Sequence, residues 1–397
     1  MDSLVVYNLE MSNFKELFLL DPSVIFLNHG SFGATPKPVF EVYQNWQSRL
    51  EKQPVLFLGR EYDRLLYESR AKLGIYLNAA AEDLVYIPNA THGVNIIARS
   101  LQLTPGDEIL TSDHEYGACD YTWEFLSGKA GAKYIHHPIP LPAHSEEEIV
   151  DNIWQGVTPR TKVIYLSHIT SPTALRLPVE QICQRARKAG ILTIIDAAHS
   201  PGQIPVDLQK LDADVVFGNC HKWMMSAKGC AFLYVRKALQ HLIDPLIVSW
   251  GYNPTPLTTT GSRFIDLLQW TGTKDPAAAL TVPAALQFMQ DHDWEAVRKT
   301  CHLLLRNGIE QFCELVKLPP LYPLDSDLYN QMAIAPLPQS NLEVLKSRLY
   351  DEYKIEVPLI QWQDRQFVRI SIQGYNTQDD LDALVKALHI LLPQVAN

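Results

Sequence analysis

The chain has 397 residues, of which 47% are hydrophobic and 20% charged. This length exceeds what one hydrophobic core usually supports, and this balance excludes intrinsic disorder, so a large domain with a smaller companion is expected. With 34 Lys and Arg against 44 Asp and Glu, the net charge of -10 opposes binding to a nucleic-acid backbone or an anionic membrane surface.

No apolar run reaches membrane-spanning length, and Asp2 and Glu10 stand where a signal peptide would be basic, so a cytoplasmic location is expected. The six cysteines (Cys119, Cys183, Cys220, Cys230, Cys301 and Cys313) show no C-x-x-C or zinc-ligand spacing. Buried, reduced thiols are their expected state.

In chain order, Tyr62, Leu65, Leu66, Ser69, Leu73, Tyr76 and Leu77 fall on one stripe at helical spacing and predict an amphipathic helix. Short apolar runs then alternate with helical patterns, which is the signature of a mostly parallel sheet covered on both faces. Strands are expected at Leu84 to Ile87, Glu108 to Thr111, Lys133 to His137, Lys162 to Ser167, Leu192 to Asp196, Val215 to Gly218 and Ala231 to Val235. Beyond about Asp275 the pattern changes to helices over 281–291 and 293–316, then short strands near Met332 to Ala335 and Phe367 to Ile372. A last helix begins with Thr377 as its cap and turns Leu381, Leu384, Val385, Leu388, Leu391 and Leu392 to one face. The expected architecture is α/β: a large domain over 26–279 with a seven-stranded, mostly parallel sheet, and a smaller α+β domain from 1–25 and 280–397.

Two strand ends carry the chemistry. Ile194, Ile195, Asp196, Ala197, Ala198 and His199 close one strand, and Phe217, Gly218, Asn219, Cys220, His221 and Lys222 close another. In an open parallel sheet, ligands sit beyond the carboxyl ends of the strands, so Asp196, His199, His221 and Lys222 are placed to converge on one crevice. A lysine that forms an imine and a carboxylate that keeps a pyridine nitrogen protonated are what pyridoxal 5'-phosphate requires. Taken singly, a strand-end Asp and a surface Lys are ordinary. A phosphate site is readable at Pro88 to Gly93, where a strand leads into a helix whose free amides and dipole favour an anion and where Thr91 adds a hydroxyl. Simple helix capping would leave the same residues there.

With these residues in view, the chain resembles the class V aminotransferase group of fold-type I pyridoxal phosphate enzymes, and within it the isopenicillin N epimerase-like branch. The resemblance runs over about 25–390 and is carried by Leu27 to Ala34, Asp196 to His199, His221 to Lys222, Trp270 to Asp275 and Val368 to Asn376. It implies Lys222 as the Schiff-base lysine, Asp196 as the pyridinium partner, His199 on the ring hydroxyl and His114 stacked on the ring face. It further implies Ala90, Thr91, Asn219 and His221 around the phosphate, Ser171 beside the ring, and Gly272 and Thr273 supplied by the neighbouring subunit of a homodimer. Arg369 matches the arginine that grips a substrate α-carboxylate, for which its fixed fork of donors is suited. Asn28, His29, Tyr116 and Tyr252 are the remaining substrate-binding candidates.

Two departures from the cysteine desulfurases of that group matter. Ser171 stands where they have asparagine, and 353–369 contains no cysteine to form a persulfide. A persulfide mechanism is therefore disfavoured, and the resemblance implies an epimerase or racemase acting on a small or peptide-like amino acid, with a carbon–sulfur β-lyase or an aminotransferase as alternatives. Removal of the Cα proton is common to all three, and His29, Tyr116 and Tyr252 join His114 as candidates for a second acid. A metal-dependent hydrolase using histidines with Asp113, Glu115 and Asp196 is the reading from another class, and no H-E-x-x-H spacing supports it. No metal is expected. A non-catalytic binding protein on the same fold is the last reading.

Overall fold

A computed structural model of the chain describes residues 14–255 and 259–396. Asp2 and Glu10, and most of the expected 1–25 segment, lie outside the described residues.

Seven strands form the central sheet: β1 (Leu84–Ile87), β2 (Glu108–Ser112), β3 (Lys133–His137), β4 (Thr161–Ser167), β5 (Leu192–Asp196), β6 (Val215–Asn219) and β7 (Ala231–Val235). Their spatial order is β1-β7-β6-β5-β4-β2-β3. All neighbours run parallel except β7, which is antiparallel to both β1 and β6. Every residue of β1, β2, β6 and β7 is buried, because helices cover both faces and leave no side of the sheet for water. The predicted stripe becomes helix α1 (Tyr62–Leu77), and α2 (Ala90–Ser100) and α3 (Gly117–Ala130) follow β1 and β2 directly.

The C-terminal part packs α4 (Val282–Asp291), α5 (Trp294–Val316) and α6 (Gln378–Val395) with a three-stranded antiparallel sheet of β8 (Met332–Leu337), β9 (Leu359–Trp362) and β10 (Arg365–Ser371) in the order β9-β10-β8. At the start of α6 the Asp380 carboxylate reaches back to the Thr377 amide at 3.1 Å. A short N-terminal strand, Ile25–Phe26, pairs with Ile355–Glu356, and Asn28 bridges to Ser371 at the end of β10. All six cysteines are buried and unpaired. Among the described residues no helix is long and apolar enough to cross a membrane.

The turn after β6 is gripped from two sides by glycine. Gly33 (φ +71°) packs so closely that a Cβ there would fall on the His221 carbonyl and within 2.8 Å of Lys222 Cα. Gly202 (φ +91°) abuts the backbone of Trp223 and Met224 in the same way. Both need the left-handed conformation that only glycine adopts freely. Gly190 (φ +69°) has the same conformation with nothing within 4 Å. Gly33→Ala and Gly202→Ala are expected to lose more thermal stability than Gly190→Ala, which loses only the conformational part, ~1 kcal/mol. Thermal unfolding of the three variants checks this; equal losses would mean that the turn is not held by close approach.

Candidate active site

The carboxyl ends of β4, β5 and β6 and the start of α2 open onto a cavity of about 390 Å³. Ala90, Thr91, Tyr116, Ser171, Asp196, His199, Asn219, His221 and Lys222, all singled out from the sequence, line it together. Chain topology explains this convergence: each follows a strand of the parallel sheet, and such strands deliver their loops to one edge.

Asp196 ends β5 and is 3% exposed. Its Oδ1 accepts the Ala198 amide at 2.8 Å, and its Oδ2 takes the Cys119 thiol at 3.6 Å and the Tyr165 hydroxyl at 3.4 Å. Burial raises its pKa, opposed by the Ala198 hydrogen bond and the nearby charge of Lys222. On Lys222 the same burial acts in the other direction, lowering the pKa to about 8, with Arg369 adding to the fall and Asp196 resisting it.

The neighbouring imidazole agrees with a neutral amine. Trp223 Nε1 donates to His199 Nδ1 at 3.3 Å, and an indole N–H can only donate. The neutral His199 ring then carries its proton on Nε2, which lies 3.1 Å from Lys222 Nζ. Nζ must accept that proton's hydrogen bond, which only an uncharged amine does. Burial, the largest cause, holds His199 well below the usual imidazole range, so the ring stays neutral.

The anion end of the cavity is built on α2. Asn89 caps the helix by accepting the His92 amide at 2.9 Å, and Asn219 Oδ1 accepts the Ala90 amide at 3.0 Å. The Thr91 amide, in the first turn, has no acceptor within the helix. His221 Nδ1 donates to the Cys230 carbonyl at 2.8 Å, and burial lowers its pKa to about 4. Lys228, which the sequence reading passed over, also lines the cavity, and among the described residues no carboxylate pairs with it.

Arg369 lies behind the cavity, 5% exposed, with burial lowering its pKa to about 10. One guanidinium nitrogen reaches the Ser171 carbonyl at 2.5 Å and the Ser171 hydroxyl at 3.3 Å, and the other reaches the Ser31 hydroxyl at 3.0 Å. Its buried Nε has no hydrogen-bond partner among the described residues.

Several expected residues lie elsewhere. His114 does not reach the cavity; both ring nitrogens are engaged, with Thr173 and Ile139, and its ring packs on Trp362. From this loop the ring that faces the cavity is that of Tyr116, two positions on, 47% exposed and set just before α3. Glu115, between the two, is turned inward, where Ser112 Oγ, Ser167 Oγ and the Ser167 amide donate to its carboxyl at 2.6, 2.6 and 2.9 Å. That anchor sends Tyr116 outward. Burial pushes the Glu115 carboxyl up to about 8.

His29 is fully buried between the Tyr375 hydroxyl, the Lys222 carbonyl and Gln373, and Asn28 bonds Glu356 and Ser31, so neither lines the cavity. Tyr252 stands on the surface beside Arg263, and Gly272 and Thr273 are also outside the cavity. Ser31, Phe32 and Ser167 line it without having been chosen. Ser31 and Phe32 belong to the quoted Leu27 to Ala34 motif, and Ser167 ends an expected strand, so strand-end position alone would have found the last. No group of three or more His, Cys, Asp or Glu side chains is arranged to hold a metal among the described residues.

The donor set fits pyridoxal 5'-phosphate. Asp196 is placed for a ring nitrogen, Lys222 for the aldehyde carbon, and the Thr91 amide with Asn219, His221 and Lys228 for the phosphate.

The model of the class V aminotransferases matches residues 33–384, and the chain belongs to that family. The chain is 33% identical to an isopenicillin N epimerase from Amycolatopsis lactamdurans, over 95% of this chain and 97% of that protein. It is 26% identical to a probable chloroplastic L-cysteine desulfhydrase from Arabidopsis thaliana, covering 94% and 84% of the two chains. The structure of a C-DES variant, which holds glycine covalently linked to its PLP cofactor, superposes with a TM-score of 0.79 at 21% identity, covering 94% of this chain and 98% of that one. The mostly parallel seven-stranded sheet is thus the fold-type I arrangement.

Cofactor capture requires an uncharged Lys222, so its rate in cofactor-free protein is expected to rise with pH through about 8 and then level. A free lysine amine would rise through 10.5 instead. Rapid-mixing absorbance measurements across this range check the difference.

Proposed function

We propose that the chain is a pyridoxal 5'-phosphate enzyme that removes the Cα proton of an amino acid and returns it on the opposite face, as an isopenicillin N epimerase-like epimerase or racemase. One observation carries this reading: two proton-bearing side chains, Lys222 after β6 and Tyr116 after β2, line one cavity from loops separated by β5 and β4. Inversion needs an acid on each side of Cα. Of the second-acid candidates His29, His114, Tyr116 and Tyr252, Tyr116 is the one that lines the cavity.

Bound pyridoxal phosphate supplies an aldehyde for the substrate amine and an electron-withdrawing ring that stabilises negative charge at Cα. Arg369 orients the α-carboxylate with the N–H groups now given to Ser31 and Ser171 and with its unpartnered Nε. Asp196 holds the proton on the ring nitrogen, because an ionised carboxylate in a buried site favours the adjacent cation. Lys222 Nζ moves the proton at Cα, and His199 Nε2 steadies that amine while it is neutral. Tyr116, lining the cavity, would hold its ring against the bound cofactor and present its hydroxyl for the return of the proton. A second copy of the chain completes the phosphate end with Gly272 and Thr273, which makes the working unit a homodimer, in the cytoplasm.

Likeness to an L-cysteine desulfhydrase favours a second reading, in which the same proton removal is followed by loss of a β-sulfur group. Single amino-acid enantiomers in heavy water separate the two. Deuterium at Cα with inversion supports epimerisation, and pyruvate release from cysteine supports the lyase. Lys222→Ala is expected to abolish both. Tyr116→Phe is expected to slow inversion by roughly a hundredfold or more while exchange with retention continues; undiminished inversion would remove Tyr116 from the reaction.

A further inference from the structure

The chemistry proposed above leaves two fully buried histidines near the cavity unused, His29 and His114, and it is His114 that joins separate parts of the site. His114 Nε2 lies 2.7 Å from the Ile139 carbonyl and 3.4 Å from a carboxylate oxygen of Asp113. A carbonyl only accepts, so Nε2 carries the proton, and in the neutral ring Nδ1 must accept. Burial lowers the imidazole pKa and favours this neutral form. The group facing Nδ1 is the Thr173 hydroxyl, at 2.7 Å, which therefore donates to the ring. Thr173 Oγ1 then accepts from the Thr170 hydroxyl at 2.7 Å, and Thr170 Oγ1 accepts the Leu175 amide at 2.9 Å. The hydrogen bonds run in one direction, from the 170–175 turn into the ring.

Three parts of the site meet at this imidazole. Tyr116 is two residues away in a loop whose other side chains are fixed. The 170–175 turn carries Ser171, whose carbonyl and hydroxyl both hold Arg369. The third part is the hairpin that bears Arg369 itself: Trp362 ends β9, its ring centre is 4.5 Å from that of His114, and its Nε1 donates to the Asp113 carbonyl at 3.0 Å. Gln363, in the hairpin turn, donates to the Asp113 carboxylate at 2.7 Å.

We infer that His114 is a positioning residue that couples the Arg369 end of the cavity to the ring of Tyr116, so that a substrate carboxylate arriving at Arg369 is felt at Tyr116. The coupling rests on the roles proposed above for those two residues. Its physical basis is competition: an incoming carboxylate takes N–H groups now held by Ser171 and Ser31, and the released Ser171 turn is tied through Thr173 to His114 and so to the Tyr116 loop. Elements with two arrangements, each biased by a ligand, are what carry such coupling.

The test uses the cofactor-loaded full chain and its His114→Ala and Thr173→Val variants. Amino-acid affinity is read from the visible cofactor band, the Tyr116 environment from circular dichroism of that band, and cofactor affinity and thermal midpoint are measured alongside. His114→Ala is expected to weaken amino-acid binding about tenfold and to change the dichroic band, within the range of about a hundredfold that misplacement remote from the chemistry produces. Cofactor affinity is expected to hold within about threefold, since the phosphate end is untouched. Thr173→Val, which keeps the imidazole but removes the bond to Nδ1 and the one from Thr170, is expected to act in the same direction and carries the test if His114→Ala fails to fold. Combining Thr173→Val with Arg369→Lys should give less than the sum of the two losses. A lower thermal midpoint with unchanged binding and dichroism, or fully additive losses, overturns the coupling alone. Wild-type protein that stays colourless with excess cofactor overturns both this and the proposed function.

Discussion

The contact between Lys222 Nζ and His199 Nε2 is the constraint on which the site depends. An indole N–H on one side of the imidazole forces the ring proton to the other, and a buried amine with a proton aimed at it is stable only when uncharged. The amine thereby becomes nucleophilic at a lower pH than a free lysine, its pKa brought down to about 8. That arrangement in turn requires His199, Trp223 and Lys222 to keep their spacing, and the glycines at 33 and 202 hold the turn that carries two of them.

Around this centre the carboxylic acids are sorted by their hydrogen bonds. Desolvation pushes both upward; on Asp196 the short Ala198 amide bond opposes it, while the Glu115 carboxyl rises to about 8 despite the bonds from Ser112 and Ser167. Two acids, one at the end of β5 and one in the loop after β2, thus serve different purposes. One is exposed to the ligand space; the other is a bolt inside the protein that decides which aromatic ring looks out.

Much of the sheet was legible because strands buried on both faces read as unbroken apolar runs, and all seven were found to within a residue. The final helix was equally clear from its stripe. Strand β9 was not: Leu359–Trp362 is four residues long and half exposed, so it has neither a run nor an alternation. Lys222, Asp196 and the Ala90–Thr91 corner were legible because strand ends announce themselves by a change from apolar to polar. His114 and Tyr116 show where that signal ends. Both are aromatic, both follow β2, and only the inward turn of Glu115 separates them, a feature set by Ser167 more than fifty residues away. Lys228 was missed because a lysine in a loop has no pattern.

The N-terminal thread has a consequence for how the molecule comes into being. Asn28 bonds Glu356, His29 bonds Tyr375 and Gly30 bonds Ser371, across sequence separations of 328, 346 and 341 residues. A ribosome adding about 5–20 residues each second needs roughly twenty to seventy seconds between making the first and last members of these pairs. For more than half of that interval Gly33 lacks even His221 and Lys222, the residues it packs against, and afterwards it still lacks the C-terminal partners of its neighbours, so the sheet strands are made well before the pocket is complete. Catalytic competence in this architecture is the last property to mature, after nearly the whole polypeptide has emerged.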